Sequence, residues 1–503
     1  MALKKYKDYI VVFLFFGIPF FVESFIFFSD INWQYSYVPE ARSTVKILEL
    51  VITLFSFCVS YIYLSEFRKY FFVAWIFLFY MPMLLNLSAF RITGTLITDS
   101  FMQAIFNTDF SEAIACLKAH IMFIIVNVII LVSALFYKVK VRKNKRYGLY
   151  GVALFIFAFS MSEFFPIFKI VLESSRYFKD ISAYKFYNEK HVPLTNIKIS
   201  NNSKQVYVLV IGESVDRNHM GIYGYKRQTT PYFSAMKSNL FAFNNVEAVY
   251  SFTSEAVKAI FTLNINGYNH YTLINFFKDA GFKTFWFSNQ GKSHVFENEV
   301  AHLGKSSDYF YSINNGNIGK QDKYDISLVD LLKNALKDKA QKKFIVLHMM
   351  GSHFPLWYRY PNKFAKFSSD KRMAKADSVT YTNSLYDDSI LYTDYVLNEV
   401  IKELRKEGCI SWMLYLSDHG QEIKSEEDCV WGSRKGRGTY EIPFVIWVSD
   451  EYRRKNGEFI ARWNLSKAYL SDKTAYSLID LARMKHDSVD SSKSIFYGDI
   501  TDQ

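Results

Sequence analysis

The chain has 503 residues, half of them hydrophobic and 18% aromatic, and a formal net charge of +12. That length predicts two or three domains. No basic run is joined to a nucleic-acid motif, so the charge argues against nucleic acid and for anionic membrane surfaces and anionic lipids.

The first third is almost continuously apolar. Five stretches are long enough, at roughly 20 residues each, to cross a hydrocarbon core. They lie near Tyr9–Phe28, Lys46–Leu64, Tyr70–Phe90, Ala119–Tyr137 and Tyr147–Leu172. The first is too long for a cleaved signal and lacks a small-residue cleavage site. Lys4, Lys5 and Lys7 precede it, Arg68 and Lys69 follow the second span, and Lys138–Arg146 carries six basic residues after the fourth. These clusters sit in alternate loops, and the positive-inside rule puts them in the cytoplasm. Everything beyond about residue 173 is then expected outside. Residues 1–173 are expected as a transmembrane domain, with an amphipathic interfacial loop near 98–116. That loop carries Asn107, Thr108 and Glu112. By pattern alone it reads first as a solvated connecting helix.

A linker is expected over 174–204 and a soluble domain over 205–503. Apolar strands are expected at Gln205–Ile211, Lys283–Phe287, Lys343–His348, Ser411–Ser417 and Pro443–Val448. Helices are expected near Tyr271–Ala280, Ser327–Lys337 and Asp387–Lys406. This alternation predicts an α/β fold with a mostly parallel central sheet. Polar residues recur at the carboxyl ends of the strands, the edge where open α/β sheets bind ligands.

Asp418-His419-Gly420 ends one strand and Glu213 another. Carboxylate and imidazole together suit a divalent metal, and glycine permits the sharp turn. Each piece also has an ordinary reading, as a strand-to-loop turn or as an acid at a helix N-terminus. Thr253 and Ser254 precede a helical run. A hydroxyl there is either a cap or a nucleophile activated by a metal. Of four cysteines, Cys409 and Cys429 flank one strand and are either bridged or free thiols.

The order of these pieces resembles the phosphoethanolamine transferases of Gram-negative inner membranes, within the alkaline-phosphatase and sulfatase superfamily. The resemblance rests on Val210-Ile211-Gly212-Glu213-Ser214, Gly221-Ile222-Tyr223-Gly224-Tyr225, Thr229-Thr230-Pro231, Trp286-Phe287-Ser288-Asn289-Gln290, Gly351-Ser352-His353, the run Tyr386–Asp394, Ser417-Asp418-His419-Gly420, and the five spans with their Asn-Thr-Asp loop. It implies a Zn2+ ion held by Glu213, Asp418 and His419, with Thr253 as fourth ligand and nucleophile. It further implies transfer of phosphoethanolamine from phosphatidylethanolamine through a phosphothreonine to lipopolysaccharide, at lipid A or the inner core. His353 resembles the family's substrate-contacting or proton-donating histidine. Asn107, Thr108 and Glu112 resemble its head-group residues, and Asn289 and Lys292 its phosphate contacts. The family's further histidine before the last strand is missing, and Arg434 or Arg437 stands in that loop as a phosphate contact. The expected protein is an inner-membrane monomer with its catalytic domain in the periplasm.

Other readings fare less well. A phosphoglycerol transferase shares the topology and metal site, but the interfacial loop favours ethanolamine. A sulfatase needs Cys or Ser in a Cys/Ser-x-Pro-x-Arg context, which Thr253-Ser254-Glu255-Ala256-Val257 lacks. A binding protein without catalysis would have no reason to keep Glu213, Thr253, Asp418 and His419 together.

Overall fold

The computed structural model describes residues 191–200, 203–236, 239–265, 268–290, 299–313, 323–369, 378–422 and 436–497. Upstream it describes 9–16, 40–64, 66–85, 144–161 and some single positions. The chain divides into two compact units, Met1–Gln103 with Ala113–Tyr177, and Ala104–Glu112 with Phe178–Gln503.

In the first unit, helix α1 spans Glu40–Tyr63 and α2 spans Arg68–Trp75, continuing through a π turn at Ile76–Tyr80. Helix α3 spans Lys145–Met161. Among the described residues one helix, Arg68–Leu85, is long and apolar enough to cross a membrane, and Val51–Tyr63 is a shorter apolar stretch. The other expected spans fall wholly or partly outside the described residues. Helices α1 and α3 pack closely because two glycines of α3 face α1. A Cβ on Gly151 would lie 2.7 Å from Ser60 Oγ, and one on Gly148 2.5 Å from Leu64 Cγ. Small residues at such crossings are how apolar helices gain van der Waals contact where the hydrophobic effect gives little. Phe16 meets Phe57, Tyr61 and Trp75 edge-on, at 4.7–5.2 Å between centroids.

The second unit is built on strands β1 Gln205–Gly212, β2 Leu240–Phe243, β3 Lys283–Ser288, β4 Tyr309–Ser312, β5 Lys342–His348, β6 Ile410–Ser417 and β7 Phe444–Val448. They form one sheet in the order β2-β7-β6-β1-β5-β3-β4. The sheet is mixed, which corrects the expectation of a mostly parallel one. Strands β6, β1, β5, β3 and β4 are parallel, but β7 runs antiparallel to both β6 and β2. Apolar runs such as Phe444–Val448 carry no sign of their direction, so periodicity could not distinguish the two.

Strand β1 is buried along its whole length, as a central strand covered on both faces must be. Helices α4 Thr253–Phe261, α5 Leu273–Asp279, α6 Ile326–Leu336, α7 Ser378–Lys406 and α8 Thr474–Leu481 cover it. Tyr207, Leu209 and Ile211 share a core with Val257 and Ile260 of α4, Phe277 of α5 and Leu478 of α8. Val206, Val208 and Val210 share the other with Leu332 of α6 and Ile390 and Leu397 of α7. Each large apolar side chain so buried contributes about 1.5–3 kcal/mol. The result is a three-layer sandwich that holds the carboxyl ends of β1, β5, β3 and β6 side by side.

Candidate metal and nucleophile site

Glu213 follows β1 and Asp418-His419 follow β6, and the two strands are paired through Ser417↔Gly212. Glu213, Asp418 and His419 therefore converge, all buried, each offering a ligand atom within 4.8 Å of the others. His419 Nδ1 lies 2.8 Å from the Gly420 carbonyl oxygen. A carbonyl can only accept, so Nδ1 carries the proton and Nε2 presents its lone pair. That lone pair is 3.4 Å from Glu213 Oε1 and 3.6 Å from Asp418 Oδ2. Asp418 Oδ1 accepts from the backbone N–H groups of His419 (2.7 Å) and Ser214 (3.1 Å), whereas buried Oδ2 has no hydrogen-bond partner. Burial pushes the Asp418 carboxyl up. Two buried carboxylates this close repel unless a cation lies between them. The donor set, two carboxylates and one oriented imidazole, fits a divalent metal of the zinc kind.

Thr253 opens α4, the first residue with helical geometry after extended Phe252. Its Oγ1 donates to Glu213 Oε2 at 2.9 Å. The hydroxyl thus sits in the positive potential of a helix N-terminus and against a prospective metal ligand.

The turn after β1 is held from several sides. Ser214 has φ +59°, rare for a residue with a side chain. Its N–H bonds Asp418, its hydroxyl bonds Glu213 Oε1 at 2.6 Å, and its carbonyl accepts from Tyr386 OH at 2.7 Å. Such a conformation persists only where its surroundings over-determine it. On the other side Gly351, at φ +51°, lies flat on Glu213, and a Cβ there would be 2.8 Å from both Glu213 N and O. The Ser352 N–H donates to the Glu213 carbonyl at 2.9 Å. Buried Asp325 accepts from the N–H groups of Met350 and Gly351, each at 2.9 Å, and so fixes that loop.

Of the remaining expected site residues, Asn289, His353 and Arg437 are among the described ones. Asn289 is fully buried and donates to Asp325 Oδ1 at 2.7 Å. It is a support beneath the site, not a phosphate contact at its surface. Its neighbour Gln290 reaches the site instead, donating to Glu213 Oε2 (3.2 Å) and the Met349 carbonyl (2.9 Å). His353 is half-buried, with Nδ1 2.7 Å from the Phe354 carbonyl, which places the ring proton on Nδ1. Arg437 is 85% exposed and bonds Glu441 at 3.0 Å. Its loop packs on the Asp418-His419-Gly420 turn, with Gly420 N–H on the Thr439 carbonyl at 2.7 Å. Asn107, Thr108, Glu112, Lys292, Arg434 and Cys429 lie outside the described residues. Cys409 is a free, buried thiol pushed up to about 11 by burial.

Sequence reasoning assigned no role to Ser214, Gln290, Asp325 or Gly351. Gly351 carried a signal, glycine at the end of a strand. Asp325 carried none, since it reads as a helix cap and caps nothing by its side chain.

The family described as Sulfatase matches residues 205–483. The phosphoethanolamine transferase EptC of Escherichia coli O18:K1:H7 is 30% identical over 333 residues, which are 62% of this chain and 57% of that protein. The chain thus aligns with less than two thirds of the length of that relative. The crystal structure of the C-terminal periplasmic domain of E. coli EptC in complex with Zn superposes with a TM-score of 0.57 at 28% identity, covering 62% of this chain and 92% of that one. The integral membrane lipooligosaccharide phosphoethanolamine transferase A of Neisseria meningitidis gives a TM-score of 0.63 at 19% identity over 96% of both chains, a likeness of fold.

Proposed function

This chain belongs to the sulfatase family, and from that membership we propose that it is a membrane-anchored, zinc-dependent phosphoethanolamine transferase. One observation carries the reading: Thr253 Oγ1 lies on Glu213, within the cluster that Asp418 and His419 complete. A sulfatase nucleophile requires a different local sequence, and the relatives named above are phosphoethanolamine transferases.

In this reading Glu213, Asp418 and His419 hold zinc. Zinc bound there supplies charge that polarises phosphoryl oxygens and lowers the pKa of the Thr253 hydroxyl. Glu213, as the present hydrogen-bond acceptor, orients Thr253 toward the donor phosphorus. Thr253 Oγ bonds to the phosphorus of phosphatidylethanolamine, and the bond from phosphorus to the diacylglycerol oxygen breaks. The proton lost by Thr253 ends on that oxygen, with His353 as the proton-donating histidine. An acceptor oxygen on lipopolysaccharide, in lipid A or the inner core, then takes the phosphoethanolamine and restores Thr253. Asn107, Thr108 and Glu112 bind the ethanolamine head group, and Lys292 and Arg437 meet phosphate oxygens. The anchor is a five-span domain ending near residue 173, with a linker to 204 and a periplasmic catalytic domain from 205.

Mass spectrometry of lipopolysaccharide from cells with and without the gene tests this. A phosphoethanolamine increment that disappears with Thr253→Ala is expected. A glycerol-phosphate increment on a membrane glycan would favour the phosphoglycerol reading, and full activity of Thr253→Ala would remove Thr253 from its role.

A further inference from the structure

The loop after His353 presents aromatic rings to solvent on a stiff support. Leu356 is buried, Trp357 and Tyr358 are 51% and 42% exposed, and Arg359 is buried again. The Arg359 guanidinium holds the carbonyls of His353 (2.5 Å) and Phe354 (2.9 Å), so the short turn Leu356–Tyr358 is clamped on both sides. Phe354 and Trp357 meet edge-on at 5.5 Å. Exposed rings on a fixed loop differ from a floppy tail, because the outward pose is held by buried bonds. Scattered exposed apolar residues need no explanation, but a held cluster does.

Across the site a second loop repeats the feature. Tyr250, three residues before Thr253, is exposed, and so is Leu470. Leu470 pairs with Glu247, and Ser471 Oγ accepts from Val249 N–H, so both belong to the wall that carries Thr253. The two walls meet at Glu213, through Thr253 Oγ1 on one side and Ser352 N–H on the other.

The charge along the loop after His353 has one sign. From Phe354 to Ser369 the chain carries Arg359, Lys363 and Lys366 and no acidic residue. Lys363 and Lys366 are exposed and lie against aromatic faces, Lys363 over Phe364 at 5.3 Å and Lys366 over Phe367 at 5.5 Å. Trp and Tyr prefer the boundary between head groups and acyl chains, and lysines near them attract anionic lipid. Lysine is depleted at protein–protein interfaces, so two exposed lysines on the same loop as the rings fit a lipid surface better than a protein partner.

We propose that Trp357, Tyr358, Tyr250 and Leu470 form a rim that seats in the interface of an anionic bilayer, with Lys363 and Lys366 on its head groups. The rim holds the wall that carries Thr253 at the depth of a phospholipid phosphate. The inference rests on the lipid-donor reading above. It explains how a half-buried site takes a substrate that never leaves the membrane: the lipid rises only by its head group while the rings replace it in the interface.

The test uses the full chain in nanodiscs of phosphatidylethanolamine and phosphatidylglycerol, with and without phosphatidylcholine brominated in its acyl chains. Subtracting the spectrum of Trp357→Phe isolates Trp357 emission. That emission is expected to be quenched about twofold or more by bromine. Trp357 emission unchanged by bromine overturns the proposal. A Trp357→Ser, Tyr358→Ser double variant is expected to lose about tenfold in transfer from the bilayer donor, with transfer from a dispersed short-chain phosphatidylethanolamine unchanged. Equal loss on both donors also overturns it. Quenching without any phosphoethanolamine transfer by the wild type would sink the functional reading and leave the docking surface standing. Transfer without quenching would do the reverse.

Discussion

Replacing Gly351 by alanine tests how Glu213 is held. The backbone there has φ +51°, which costs an L-residue about 1–2 kcal/mol. The new Cβ would stand 2.8 Å from Glu213 N and O and 3.1 Å from Glu213 Cβ. None of these atoms moves with a side-chain rotamer. Ordinary contact requires about 0.6 Å more, and overpacking of this size costs about 1–3 kcal/mol. Together the loss is about 2–5 kcal/mol, a large share of a normal folding free energy. Because the shift falls on Glu213, zinc affinity should fall about 10- to 100-fold, as when a ligand's support is disturbed. Gly408 supplies the control, since it has φ +53° with nothing within 4 Å of its Cβ position. Gly408→Ala should cost about 1–2 kcal/mol and leave zinc binding alone. Urea unfolding of the catalytic unit in the detergent-solubilised full chain gives the stabilities, and competitive chelation gives the affinities. Gly351→Ala matching Gly408→Ala in both would refute the claim that Gly351 pins Glu213.

Two further predictions follow from the buried charges. In chelator-treated protein Asp418→Asn should raise the melting temperature, because it removes one of two carboxylates facing each other, while zinc affinity falls at least about 100-fold; a lower melting temperature without metal would contradict the repulsion. His348, at the end of β5, is buried, both its ring nitrogens lack hydrogen-bond partners, and burial lowers it to about 4. The unfolded chain therefore binds a proton at about pH 6.5 that the folded chain refuses until about pH 4. Stability should fall by about 2 kcal/mol from pH 7 to 5 on this account, and His348→Gln should flatten that slope in urea titrations at the two pH values; an unchanged slope would show that other groups carry it.

The sequence made the chemistry legible where residue type and strand end coincide. Glu213, Asp418 and His419 were readable because each closes an apolar strand, whereas Thr253 by position alone reads as a helix cap and was picked out only by the resemblance. The strands β1, β3, β5, β6 and β7 were readable from their apolar runs. The direction of β7 was not, because an all-buried strand looks alike in both senses. Strands β2 and β4, four residues each, are too short to show a period. That Gln290 and not Asn289 bonds Glu213 was not legible, since adjacent residues past a strand end point to opposite sides and the motif alone does not say which faces the carboxylate. Asp325 works through backbone N–H groups, which no sequence displays.

The pairing of β1 with β6 also dictates when the site can exist. Ser214 and Asp418, bonded across those strands, are 204 residues apart in the chain. A loop of that length closes late, since its entropy must be met before the contact rewards it. A nascent chain that has delivered Glu213 alone offers a cation nothing to chelate with. A metal held by Glu213, Asp418 and His419 would therefore be captured only after β6 has paired with β1, late in folding.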